Sequence, residues 1–271
     1  QSKLPSLELT IFAVMTQLAI KHKAINLSQG FSDADPPPEA LAAGKKAMAE
    51  GPHQYAVTWG APRFREALAR KQRHWMGIDL DPDAHLVVTC GSTEAMVCAM
   101  MTACNPGDRV IIFSPYYENY GAAAILSGAR PIYVPLHPPE FVFDGQQLRS
   151  HLLQHPEALV PSNPSNPSGK VFSREELEFI AKLAQSHDAF VITDEVYEHI
   201  VYRPHSHRYM ASLPGMFERT ISCSSLSKTY NMPGWRVGFM VGNETLVAAL
   251  RRMKSYLDYG IFTPVQVAAI E

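Results

Sequence analysis

Apolar and β-branched residues fall in short runs at positions 86–89, 109–113, 131–134, 190–193, 220–222 and 237–241, each bounded by turn-forming residues. Between them lie segments with helical spacing. After Pro62 the stretch 63–75 repeats Phe64, Leu68 and Trp75 on one face and stops at Gly77; 92–104 and 174–186 are helical in the same sense. Strands alternating with helices predict an α/β domain with a mostly parallel sheet and flanking helices. Proline-dense loops at 36–38 and 161–167 punctuate this order, and the first separates an N-terminal arm from the main domain. Pro161 follows Val160 ahead of the Asn-Pro loop, and any central strand there is expected to be shortened or partly lost.

Open parallel sheets gather ligands at the carboxyl ends of their strands, which directs attention to the residues after each run. Behind 86–89 come Gly91, Ser92 and Thr93, opening a helix whose free N–H groups suit a phosphate, although such hydroxyls are more often plain N-caps. The run 109–113 leads into an aromatic cluster, Tyr116, Tyr117 and Tyr120, which suits core packing or stacking on a planar heterocycle. Two Asn-Pro turns, at Asn163 and Asn166, force an extended loop from which an amide can enter a cleft. Asp194 ends the run 190–193, with Tyr197 three residues on; buried polar groups there need partners, which favours a site. The most specific segment runs from Ser225 to Gly238. It sets Lys228 among small hydroxyl residues and places Arg236 eight positions later, between Gly234 and Gly238.

Composition narrows the partners. Lys plus Arg number 24 against 26 Asp plus Glu, a formal net charge of −2, so no basic surplus attracts nucleic acid or anionic lipid. No apolar stretch approaches the roughly 20 residues that span a bilayer. A small-molecule partner and a cytoplasmic location are expected. The 4 cysteines form no C-x-x-C pair and the 11 histidines are scattered, so no metal site is expected.

Together these residues resemble the class I/II aminotransferases of pyridoxal-phosphate (PLP) fold type I, the aspartate aminotransferase superfamily. Ser225–Gly238 fits that family's lysine-site signature, and Gln29-Gly30, Tyr55, Gly91, Tyr117, Asn166 and Asp194 follow its motif order. The N-terminal half is most similar to methionine or kynurenine-type enzymes, and the segments around Trp235–Asn243 and Ser255–Gly260 to alanine aminotransferases. The resemblance implies PLP as cofactor, held as a Schiff base on Lys228, with Asp194 keeping the pyridine nitrogen protonated. It further implies Asn166 and Tyr197 on the ring's phenolic oxygen, Tyr117 stacked on the ring, and Arg236, Ser225, Gly91, Ser92 and Thr93 around the phosphate. Gly30 and Phe31 would border the substrate. Tyr55 would reach the phosphate of a neighbouring subunit, making a homodimer with shared sites.

The implied reaction moves the amino group of a neutral amino acid, methionine, alanine or aromatic, to a 2-oxo acid. Carbon–sulfur β-elimination and a non-catalytic PLP-fold protein are the alternatives. Residues 1–38 are expected to form the arm and the start of a small domain, and 39–271 the large PLP-binding domain. The resemblance also implies a C-terminal small domain with a carboxylate-binding arginine, and no residue of this sequence matches that arginine.

Overall fold

The computed structural model of the chain describes residues 9–30 and 32–271. Three helices come first: α1 (Ile11–His22), α2 (Pro38–Glu50) and α3 (Pro62–Met76). The alternating part then runs β1 (Leu86–Thr89), α4 (Gly91–Ala103), β2 (Arg109–Ser114), α5 (Asn119–Leu126), β3 (Arg130–His137), β4 (Val142–Phe143), α6 (Gly145–Leu152), β5 (Ala158–Val160), α7 (Arg174–Ser186), β6 (Phe190–Asp194) and β7 (Thr220–Ser225). After these come α8 (Leu226–Thr229), β8 (Gly238–Val241), α9 (Glu244–Leu257) and α10 (Thr263–Ala268). Proline at the first turn of α2, α3 and α10 supplies a preset φ where no N–H is needed. The reciprocal Ser173–Glu176 capping box starts α7.

Among the described residues eight strands form one sheet in the order β1-β8-β7-β6-β5-β2-β3-β4. The ladders joining β3, β2, β5, β6 and β7 are parallel, whereas β8 runs antiparallel to both β1 and β7. Strand residues alternate between two cores. Val110, Ile112 and Ile192 pack with α4, α5 and α9 on one face; Ile111, Phe113 and Val191 pack with α6 and α7 on the other. Helix α3 covers the β1–β8 end through Phe64 and Leu68. The sheet is thus buried on both sides, and its strand ends are left to carry polar chemistry.

The expected shortening at Pro161 is present. Strand β5 has three residues, and beyond the proline only an isolated bridge, Ser162 with Asp194, continues the pairing. Other boundaries move outward from the sequence reading, since β3 extends to His137 and β7 to Ser225. No described helix is long and apolar enough to cross a membrane.

Candidate active site

Because β1, β2, β5, β6 and β7 point the same way, their carboxyl ends share one edge, and antiparallel β8 begins there. Gly238 pairs with both Thr89 and Ser225, so the loops after β1 and β7 meet at one glycine. The crowding is tight. A Cβ on Gly238 would stand 2.4 Å from the carbonyl carbon of Gly91, and one on Gly91, at φ +74°, 2.3 Å from Nη2 of Arg236. Arg236 itself adopts a left-handed conformation at φ 55° and donates from Nη1 to the Pro233 carbonyl at 2.9 Å. No side chain caps the first turn of α4, which leaves Ser92 and Thr93 unspent at a helix N-terminus. Ser225 caps α8 by accepting from the Ser227 amide, so its hydroxyl proton is free to donate. A guanidinium, three hydroxyls and a helix start around a glycine make a cradle for a phosphate.

Three residues past Ser225 comes the lysine. Lys228 Nζ donates to the Gly30 carbonyl at 2.6 Å and sits 5.9 Å from the centre of the Tyr197 ring. Burial lowers its pKa, favouring the uncharged amine that a nucleophile requires. Asp194, at the end of β6, is buried. Its Oδ2 accepts from the Tyr120 hydroxyl at 2.5 Å and its Oδ1 from the Val196 amide at 3.0 Å. Burial pushes this carboxyl up, and those two hydrogen bonds oppose it. Burial likewise raises the Tyr197 phenol, helped by Asp194 and opposed by the nearby Asn166 side chain. The half-buried Tyr117 ring packs 6.1 Å from Phe12 of α1 and 5.8 Å from Tyr120.

Of the residues expected from the sequence, the fold gathers Gly30, Gly91, Ser92, Thr93, Tyr117, Asn166, Asp194, Tyr197, Ser225, Lys228 and Arg236 along this edge. The two asparagine turns divide their work. Asn163 is structural, its amide bonded to the Arg208 carbonyl and its oxygen accepting from Phe172, which leaves Asn166 to face Tyr197. Tyr55 stands apart, 79% exposed with its ring edge-on to Tyr259 at 5.0 Å. Phe31 lies outside the described residues. The sequence reading had placed Tyr120 in the aromatic cluster without a role, and it missed Lys254, wholly buried and paired with Glu94 at 2.8 Å and Asp258 at 2.6 Å. A lysine amid the apolar face of α9 was the available signal for the second.

The cradle, an amine with a lowered pKa and a buried carboxylate fit a phosphorylated pyridine aldehyde, one feature for each of its functional groups. The family model for aminotransferase class I and II matches residues 22–271. A probable N-succinyldiaminopimelate aminotransferase of Mycobacterium tuberculosis is 39% identical over 269 residues, covering 98% of this chain and 68% of the relative. The methionine aminotransferase of Escherichia coli is 38% identical over 268 residues, covering 99% and 69%. The solved M. tuberculosis N-succinyldiaminopimelate aminotransferase superimposes with a TM-score of 0.96 over 100% of this chain and 71% of its own, at 39% identity. This chain therefore belongs to the class I and II aminotransferases and is a PLP-dependent transaminase.

Proposed function

We propose that this transaminase moves the amino group of a neutral amino acid, such as methionine, alanine or an aromatic one, to a 2-oxo acid, with its cofactor carried as a Schiff base on Lys228. The observation that carries the reading is the Lys228 amine, partly desolvated, donating to the Gly30 carbonyl and standing 5.9 Å from the centre of the Tyr197 ring. When bound, the cofactor supplies an aldehyde that captures amines and a ring that accepts the electron pair left by a lost Cα proton. Lys228 anchors it and then moves that proton. Asp194 holds the ring nitrogen's proton, Asn166 and Tyr197 donate to the phenolic oxygen, and Tyr117 supports the ring face. Arg236, Ser225, Gly91, Ser92 and Thr93 hold the phosphate, with Gly30 and Phe31 beside the substrate.

The neutral donor follows from the charges in reach. Around Gly30 and Tyr117 the sequence supplies Asp33, Asp35 and Glu118, while Lys228 and Arg236 are committed to the cofactor. A second substrate carboxylate would be desolvated without a cation. The groove beside Asn166 and Tyr197, lined by Val171, Ile200, Val201, Tyr202 and His205, contains no Lys, Arg, Asp or Glu. The relatives include methionine and kynurenine enzymes, which support this reading, as well as N-succinyldiaminopimelate and aspartate enzymes, which do not favour it.

In this proposal residues 1–38 comprise the arm and the start of a small domain and 39–271 the large cofactor domain, and two copies share their sites through Tyr55. Exposed Tyr55, Tyr259 and Phe262, at 79%, 68% and 63%, suit burial by a second copy. The four free cysteines suit a reducing cytoplasm. Borohydride should fix the cofactor to the wild-type chain and not to Lys228→Ala, and kcat/KM with 2-oxoglutarate should favour methionine, alanine or phenylalanine over aspartate. An adduct retained after the substitution refutes the lysine; a preference for aspartate refutes the donor class.

A further inference from the structure

Asp194 must keep a negative charge in a buried place, and its surroundings include one donor that the family motifs did not single out. Tyr120 lies on α5, 74 residues away in sequence, and is 2% exposed. Its hydroxyl donates to Asp194 Oδ2 at 2.5 Å, and the Ser162 hydroxyl lies 3.1 Å from the same phenol oxygen. Ser162 stands after the proline that ends β5, bridged to Asp194 through the backbone. The phenol is thus held from the end of β6 and from the loop after β5, and it has no solvent to turn to. On the other carboxylate oxygen the Val196 amide donates at 3.0 Å. The adjacent Glu195 is also buried, and its charge works against that of Asp194.

We infer that Tyr120 is a positioning residue of the transaminase, whose hydroxyl holds Asp194 ionised and oriented toward the protonated ring nitrogen of the cofactor. The reason is a competition for one proton. A buried carboxylate deprived of a donor becomes a stronger base, and it draws the ring proton onto itself. The ion pair then becomes a neutral pair, and the ring loses the positive charge that makes it an electron sink. Burial raises the Tyr120 phenol well above its ordinary value, so the group stays a neutral donor at every working pH.

The inference rests on the reading of Asp194 as the carboxylate of the ring nitrogen, and the test separates the two. Affinity of the full chain is measured by equilibrium dialysis for PLP and for its analogue with C–H in place of the ring nitrogen. Wild type should prefer PLP. Tyr120→Phe should narrow that preference roughly 10- to 100-fold, the worth of a hydrogen bond to a charged group, with analogue affinity held to within about two-fold. A merely structural role would weaken both ligands together, and that result, or an unchanged ratio, overturns the inference while leaving Asp194 in place. Absence of any preference in wild type, with Asp194→Asn the same, overturns the Asp194 reading itself. Should Tyr120→Phe not fold, 4-aminophenylalanine at position 120 keeps the ring with a weaker donor. Its ratio should fall below that of wild type, and an unchanged ratio there overturns the inference.

Discussion

At the scale of single residues, the site works by setting groups against their ordinary protonation. Burial lowers the pKa of Lys228 below its ordinary 10.5, so the folded chain binds that proton less tightly than the unfolded chain does. Stability therefore rises with pH between the lowered value and 10.5 wherever this lysine contributes. Lys228→Met, stripped of cofactor, should gain stability over wild type at pH 7, and the gain should shrink as pH climbs toward 10. Urea midpoints at pH 7, 8, 9 and 10 check this, and a difference that does not vary with pH would contradict it. Gly91, Tyr117, Asp194 and Lys228 were legible in the sequence because each comes shortly after a run of apolar or β-branched residues, where a strand end must be. Tyr120 was not legible in its role. Its partner lies 74 residues away, and nothing local distinguishes a phenol that packs from one that donates.

At the scale of elements, the cradle depends on how closely β8 approaches the turn before α4. Gly238→Ala would drive its methyl into the Gly91 carbonyl carbon at 2.4 Å and the Ser92 amide nitrogen at 2.8 Å, both backbone atoms that cannot swing aside. Overpacking of this kind costs about 1–3 kcal/mol, and it opens the phosphate cradle as well. Thermal unfolding should show the lost stability, and phosphate or PLP should protect the variant less than wild type. The strands β1, β2, β3, β6, β7 and β8 could be read from apolar runs alone. Helices α1 and α2 could not: α1 buries none of its side chains among the described residues, and α2 carries two lysines in a run of alanines, so neither shows a clean apolar stripe. The proline at 161 was informative in the opposite way, because its missing N–H predicts where a ladder must stop.

At the scale of the molecule, distant segments are tied by charge as well as by apolar packing. Lys254 of α9 is wholly buried between Glu94 of α4 and Asp258, and Glu94 also accepts from the Cys90 amide at the mouth of the cradle. Lys254→Met leaves two carboxylates facing each other with their cation gone. Removing one partner from such a cluster costs about 3 kcal/mol, and the strain falls on the first turn of α4. Denaturant titration should show the destabilisation, and partial recovery is expected when Glu94→Gln is added. Neither the triad nor the sheet order was visible in the sequence, for each joins segments too far apart for periodicity to relate.

That separation has a further consequence for how the chain is made. Thr89 finds its ladder partner, Gly238, about 150 residues later, among the most non-local pairings of the fold. At ordinary rates of synthesis the interval lasts roughly ten to thirty seconds. Meanwhile β2, β3, β5 and β6 can already pair with one another on the ribosome. Throughout that time β1 has no neighbour, Arg236 does not yet exist and the turn at Gly91 has nothing against it. A nascent chain can therefore hold a half-built sheet and still be blind to its cofactor, and recognition arrives in one step as β8 slides between β1 and β7.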